Sequence, residues 1–292
     1  MRSDLMRRYG DCLRLNLRML GHVLARRWLT PQDVAAGYDR LAHDYDANWL
    51  CRLIPVTDRL IAALPDDISG AVFDLGCGTG YLTAALVQRY PAADVTGVDI
   101  SPQMVAEARR RGLCATLKTA DMLSFLRRKP DGAAALIVSA WAIGYSVPDR
   151  LIAAAARVLA PGGMLVFTVN YADTLAPVFR AYRRCLAAYP DKVRKALWPR
   201  FPRDRATVEK MLRRHGLRPE LVEEGCIAVA PPESGAPPSL AWLLKTGVLA
   251  GFDAVLPLPE DPELAARFEE ELAADSRPLE HHFITIKGVR PR

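Results

Sequence analysis

Three aspartates and a glycine-rich loop stand out as groups able to hold a ligand. "FDLGCGTG" (73–80) sets Asp74 ahead of Gly76, Cys77, Gly78 and Gly80, Asp99 ends "DVTGVDI" 19 residues after Gly80, and Asp121 follows in "TADML". Glycines in that loop let the backbone turn tightly and approach a ligand with no side chain between, and a helix that follows presents free N–H groups. A carboxylate at Asp99 can accept both hydroxyls of a ribose. The spacing is G-x-G-x-G, not the G-x-G-x-x-G of a dinucleotide site, and Asp74 would repel a pyrophosphate while suiting an ammonium or a sulfonium. Asp121 can accept from an adenine amino group beside apolar Met122. The set implies a cationic nucleoside.

These residues need a scaffold that brings distant strand ends together. "AVFDL", "DVTGVDI", "CATLK", "AALIVSA" and "MLVFTV" read as short apolar strands, separated by the helical patterns "YLTAALVQRY", "PQMVAEARRRG" and "RLIAAAARVLAPGG". Pro102 sits in the first turn of the second helix and Gly112 past its end, as helix limits require. Strands alternating with helices of this length imply right-handed crossovers and a doubly wound parallel sheet, with the ligand beyond the carboxyl ends of the strands.

With these motifs in their order, the sequence resembles the class I S-adenosylmethionine-dependent methyltransferases over roughly residues 35 to 230. The segments that carry the likeness are "VFDLGCGTGYLT", "VTGVDISPQMVAEAR", "TADML", "AALIVSA" and "LAPGGMLVFTV". The resemblance implies an α/β, Rossmann-like, seven-stranded sheet with an antiparallel last strand, and S-adenosylmethionine as cofactor. Asp74, Gly76 and Gly78 would lie along its methionine part with Cys77 and Gly80 in the same loop. Asp99 would hold the ribose with Ile100 next to it, Met104, Asp121 and Met122 would meet the adenine, and Ser139 and Ala140 would stand near the sulfonium. "YDRLAHDYD" (38–46) is similar to the segment that closes over the cofactor in small-molecule members, including quinone methyltransferases, which nominates Tyr38 or Tyr45. Trp141 and Tyr145 are either substrate-pocket or core aromatics.

The antiparallel last strand organises the rest of the chain. "LVEEGCIAVA" becomes strand six and "HHFITIKGV" strand seven, so insertions at about 171–205 and 231–279 open over the active-site edge as helical cover segments. Residues 1–34 form a basic amphipathic helix ahead of a methyltransferase domain spanning 35–292. Three covers around one mouth suit a small or amphipathic substrate. Proton removal from such a substrate needs a base, and His281, His282 and His43 are the candidates; the plain alternative for each is a surface or capping residue.

Charge is unevenly distributed. Residues 1–30 carry seven arginines against two aspartates, residues 180–214 carry twelve Lys and Arg, and residues 231–280 carry ten acidic groups against three basic ones. The last two segments are expected to attract one another. On a helical wheel Leu5, Tyr9, Cys12, Leu13, Leu17, Leu20, Leu24 and Trp28 share one face. That face either meets an anionic membrane surface, a peripheral contact through residues 1–29, or packs on the domain. It tilts the acceptor toward a lipid, a quinone or another lipophilic natural product.

Other classes fit less well. A nucleic-acid enzyme would use the basic stretches, but "SAWAIGYS" replaces the Asn-Pro-Pro-Tyr type of strand-four segment, so no nucleic-acid partner is expected. A protein methyltransferase and a non-catalytic S-adenosylmethionine-binding protein remain as alternatives. The six cysteines include no C-x-x-C pair, so no metal site is expected and most should be small buried residues. With no secretory block and no apolar run of spanning length, a cytoplasmic location is expected, at the inner membrane face if the N-terminal helix binds lipid.

Overall fold

The computed structural model describes residues 2–197, 201–229, 231 and 238–292; of residues 2–9, 11 and 12 only the backbone is described. The helices are α1 (Arg2–Leu24), α2 (Pro31–Leu41), α3 (Cys51–Ala62), α4 (Tyr81–Arg89), α5 (Pro102–Arg110), α6 (Met122–Arg127), α7 (Pro148–Val158), α8 (Ala176–Ala188), α9 (Arg205–Arg214), α10 (Leu240–Leu243) and α11 (Pro262–Ala273). The strands are β1 (Gly70–Leu75), β2 (Ala93–Asp99), β3 (Thr116–Thr119), β4 (Ala134–Ala140), β5 (Leu159–Asn170), β6 (Arg218–Ala228) and β7 (Glu280–Val289). The chain divides into two compact units. One holds residues 38–174, 200–227 and 281–292, the other residues 1–37, 175–199 and 228–280.

The larger unit is built on a seven-stranded sheet of order β3-β2-β1-β4-β5-β7-β6. The pairs from β3 through β5 are parallel and β7 runs antiparallel to β5, as the family resemblance implies. Register fixes the faces. Asp74 lies opposite Val138 and Val138 opposite Val166, so all three point to one side. There Val72, Val138 and Val166 pack with Leu60 of α3 and Leu82 and Leu86 of α4. Phe73, Ile137, Phe167 and Ile284 fill the other side with Phe125 of α6 and Leu151 of α7. Both faces are covered, which is why the central strands read as nearly continuous apolar runs.

Two local expectations are corrected. "LAPGG" reads as a helix stop, yet α7 ends at Val158 and β5 already begins at Leu159. The strand passes through Pro161, Gly162 and Gly163 because a register shift between Ala134 and Leu136 absorbs the irregular residues, and the Gly162 N–H is taken up by the Arg290 carbonyl. Of the five described cysteines only Cys77 and Cys185 are buried, whereas Cys51, Cys114 and Cys226 are exposed.

The smaller unit gathers α1, α8, α10, α11 and most of α2. Its two charged segments do meet. Lys192 pairs with Asp261 and Glu263 at 2.8 and 2.7 Å, Arg194 with Glu260 at 2.7 Å, Arg180 with Asp275 at 3.1 Å, and Arg184 with Glu271. Such half-exposed pairs add little stability singly, so the apolar core of Tyr182, Leu243, Leu256, Leu264 and Phe268 holds the unit while the charges fix its register.

Helix α1 docks by a mixed face on which Leu15, Met19 and Val23 are half-buried beside His22. His22 is buried with Nε2 2.9 Å from the Val193 carbonyl, and the Arg18 guanidinium donates to that same carbonyl at 3.3 Å. The leucine stripe turns outward instead, with Leu13, Leu17, Leu20 and Leu24 exposed by 60, 60, 52 and 75%. The described part of that leucine stripe is therefore not packed in the folded chain. Leu5, Tyr9 and Cys12 lie outside the described side chains. No helix among the described residues is long and apolar enough to cross a membrane.

Candidate functional site

The glycine loop leaves β1 and is pinned to β2 by N–H groups of Gly76 and Cys77, both donating to the Val98 carbonyl at 2.7 and 3.0 Å. Gly76 has φ +76°, and a Cβ there would run into Ala142 in the segment after β4. Gly78 has φ +53°, and a Cβ there would meet nothing within 4 Å. The first glycine thus lets two loops close on each other, and the second leaves open space beside its backbone. Asp99 fastens the loop from the other side. Its Oδ2 accepts from the Gly78 N–H and its Oδ1 from the Ser101 N–H, each at 2.9 Å. Burial pushes its pKa up while these backbone donors pull it back. Each oxygen retains a lone pair for a ribose hydroxyl.

Asp74 is fully buried, and its Oδ2 accepts from the Thr83 hydroxyl at 2.6 Å. Its Oδ1 is buried with no partner among the described residues. Burial raises this carboxyl to about 7, with the Thr83 bond opposing and the Asp99 charge adding to the shift. A buried acceptor left unmet is costly, and a cationic group in the cleft would meet it. The residues therefore fit the ammonium end of S-adenosylmethionine.

The remaining expected contacts converge on the same strand ends. Met104 is buried and its N–H donates to Ser101 Oγ at 3.0 Å, with half-buried Ile100 just before that turn. Asp121 caps α6, its Oδ1 accepting from the Ser124 N–H at 2.8 Å. Met122 is buried, with its Sδ near Gly76. Cys77 is buried, and burial drives its thiol well above the ordinary range. Gly80 begins α4. Ser139 is committed elsewhere, since its Oγ donates to the Leu75 carbonyl at 2.7 Å and stitches β4 to β1; Ala140 ends β4 half-buried.

The segment before α3 is tied to these loops by two aspartates that sequence reasoning passed over. Asp39 accepts from Ser101 Oγ at 2.5 Å and from the Gln103 N–H at 3.1 Å. Asp46 accepts from Thr79 Oγ1 at 2.5 Å and pairs with Arg111, whose Nε also donates to the Thr79 carbonyl at 2.6 Å. Tyr38 donates to the Tyr145 hydroxyl at 2.8 Å and packs edge-on against Tyr45 and Tyr145. Burial raises all three phenols, and the Asp99 charge contributes at Tyr38 and Tyr45, so both lie within electrostatic reach of that carboxylate. The only sequence signal for the latch was two acidic residues flanking the tyrosines.

The three histidines part company. His43 is 85% exposed and lies 3.8 Å from Glu107, apart from the other two. His282 is half-exposed and pairs with Asp173 at 2.9 Å. His281, one residue earlier and so on the opposite face, is buried. Its Nδ1 is 3.0 Å from the Thr174 hydroxyl and its Nε2 is buried without a partner among the described residues. The rings of Trp49 and Trp141 stand 5.3 and 5.6 Å away, and Trp141 also touches Phe283. Trp141 holds the left-handed conformation, φ +64°, and its Nε1 donates to Thr57 at 3.1 Å. Burial, with a contribution from His282, pushes His281 down to about 3, so the ring is neutral. Among the described residues no cluster of His, Cys, Asp and Glu is placed to hold a metal ion.

Known proteins resemble this chain in sequence and in fold. A profile described as a methyltransferase domain matches residues 72–163. Trans-aconitate 2-methyltransferase of Methylobacterium nodulans is 40% identical over 148 residues, covering 50% of this chain and 55% of that protein. Malonyl-[acyl-carrier protein] O-methyltransferase of Geobacter sulfurreducens is 32% identical over 190 residues, covering 63% of this chain and 70% of that protein. The YcgJ protein of Bacillus subtilis has the same fold, with a TM-score of 0.57 at 15% identity over 82% of this chain and 99% of that one. The chain spans about half the length of the first curated relatives it matches. With motif order, sheet topology and a relative matched over most of its length in agreement, this chain belongs to the class I S-adenosylmethionine-dependent methyltransferases.

Proposed function

We propose that this chain transfers a methyl group from S-adenosylmethionine to a small, lipophilic or amphipathic acceptor. The observation that carries the cofactor half is the unmet Oδ1 of Asp74 at the head of the glycine loop. In this reading Asp74 receives the ammonium, Asp99 the ribose hydroxyls, and Asp121 with Met122 the adenine. Tyr38 and Tyr45 close the nucleoside from the side fastened by Asp39 and Asp46. When bound, the cofactor supplies a methyl on a sulfonium that needs no further activation. The protein's part is to align the acceptor at about 3 Å and to keep water out. Most of the three segments expected as covers belongs to one compact unit.

The acceptor half rests on α1. Of the six large hydrophobic side chains exposed among the described residues, five (Leu13, Leu17, Leu20, Leu24 and Trp28) belong to α1 and the turn after it. Exposed Arg14 and Arg27 flank the stripe, a pattern that matches an anionic lipid surface. A lipid-borne acceptor such as a quinone or a lipid head group follows from it. The relatives named for trans-aconitate and malonyl-[acyl-carrier protein] favour a second reading, a carboxylic acceptor.

Transfer of labelled methyl from S-adenosylmethionine into an extract, followed by fractionation, separates the two. Label in the organic phase supports the lipophilic acceptor. Label in a small acidic aqueous or carrier-protein fraction replaces it with the carboxylic one.

A further inference from the structure

We infer that His281 takes the acceptor's proton, and that the acceptor is a hydroxyl carried on a flat apolar body, such as a phenol or an enol. The inference rests on the methyl-transfer reading and deepens it.

Four buried side-chain polar atoms have no partner among the described residues: Asp74 Oδ1, Asn170 Oδ1, Arg267 Nε and His281 Nε2. Three of them share one sheet face at the ligand-binding edge. Asp74, Val138 and Val166 are aligned by register, and Asn170 lies four residues beyond Val166 on β5. Asn170 lies opposite Phe283 on β7, and His281 is two residues before Phe283. The strand alternation therefore puts Asp74, Asn170, Phe283 and His281 on the same side. Asp74 is accounted for by the cofactor. Asn170 and His281 then remain as two unmet polar groups one strand apart, bounded by Trp49, Trp141 and Phe283.

That combination selects an acceptor. Aromatic walls suit a planar apolar body, and two inward acceptors suit a proton donor rather than a carboxylate, the hydroxyl giving its one proton to Nε2. A carboxylate already lacks its proton and asks for a cation, whereas the groups around His281 are two indoles, the Thr174 hydroxyl and the neighbouring His282. With Nδ1–H donating to Thr174 Oγ1, Nε2 keeps its electron pair. As the oxygen–methyl bond forms and the methyl–sulfur bond breaks, Nε2 accepts the hydroxyl proton. The charge lost by the sulfonium is thereby taken up by the imidazolium, which gives its proton to solvent when product leaves. A weakly basic ring suffices, because an alkylated hydroxyl is a far stronger acid than an imidazolium, and a neutral ring does not repel the sulfonium beforehand. Nε2 has no solvent contact, so access requires one of the two indoles to turn aside.

The test compares the full-length wild type with His281→Gln. In protein labelled with 15N-histidine, two-bond proton–nitrogen spectra should show one ring that stays neutral from pH 8 to 5.5, with Nδ1 protonated and Nε2 bare, and that ring should vanish in the variant. A proton fixed on Nε2 overturns the proposal. In the extract assay the variant should lose about 100-fold or more of transfer, with cofactor affinity by calorimetry within threefold and partial rescue by added imidazole in His281→Gly. Transfer within threefold of wild type overturns the base and leaves the methyltransferase reading standing. Absence of transfer by the wild type itself overturns that reading, and the base with it. Should His281→Gln fail to fold, the wild-type spectra alone decide the tautomer and His281→Asn replaces it in the assay.

Discussion

The Asp46 carboxylate accepts a hydrogen bond from the Thr79 hydroxyl at 2.5 Å, joining the segment before α3 to the middle of the glycine loop 33 residues later. Arg111 completes the knot by pairing with Asp46 and donating to the Thr79 carbonyl. Asp46→Ala should release the Thr79 hydroxyl and the Arg111 guanidinium. For a half-exposed, charge-assisted contact we expect a loss of about 1 kcal/mol, or roughly fivefold, in cofactor affinity. Calorimetry showing unchanged affinity would mean that the segment does not touch the bound nucleoside.

Gly78 and Gly76 should respond differently to alanine. At Gly78 the added methyl meets only open space within the chain, so folding should lose about 1–2 kcal/mol from the left-handed backbone. That same methyl fills the space assigned to the cofactor, so binding should fall well beyond the stability loss. At Gly76 the methyl collides with Ala142, and the thermal midpoint should suffer more. Equal effects of the two variants on both midpoint and affinity would sink this distinction.

Cofactor affinity should depend on pH through Asp74. Its carboxyl is raised to about 7, so the empty site takes up a proton as pH falls through that value, and a neutral carboxyl no longer attracts an ammonium. Affinity should therefore decline from pH 8 to 6, approaching tenfold per unit, and binding at pH 6 should release close to one proton. Calorimetry in two buffers of different ionisation enthalpy reads the proton directly. Asp74→Asn should bind weakly at every pH and show no slope; a slope that survives the substitution assigns the proton to another group.

Leu17→Glu with Leu20→Glu should leave the thermal midpoint nearly unchanged, because both side chains stand in solvent. On vesicles containing phosphatidylglycerol the double variant should sediment far less than wild type. Equal sedimentation of the two proteins would end the membrane assignment of α1.

Local chemistry was legible in the sequence, and long-range pairing was not. The glycine loop, Asp99 and the strand–helix alternation are short-range patterns, and the structure places them at one sheet edge. The attraction between residues 180–214 and 231–280 was legible because charge runs need no register to find each other. Asp39 and Ser101 are 62 residues apart, and nothing local marks either as the other's partner. The sequence left the α1 stripe open between a membrane and the domain, since the face that docks carries His22 and Arg18, whose partner is the distant Val193 carbonyl. The three histidines were equivalent in the sequence. Burial separated them, and only the register between Asn170 and Phe283 showed that His281 shares its face with an amide.

The division of the chain also has a consequence for its synthesis. The strands of the first half, from β1 to β5, and the loops that hold Asp74 and Asp99 are complete once residue 174 has emerged, whereas the smaller unit needs segments as late as residue 280. A nascent chain stalled between those points would carry α1 without the whole of the 228–280 segment that finishes its unit. At about 5–20 residues per second that interval lasts several seconds to tens of seconds. During it, the leucine stripe of α1 is an apolar surface open to a chaperone or to a bilayer, and it is one that the folded chain leaves exposed.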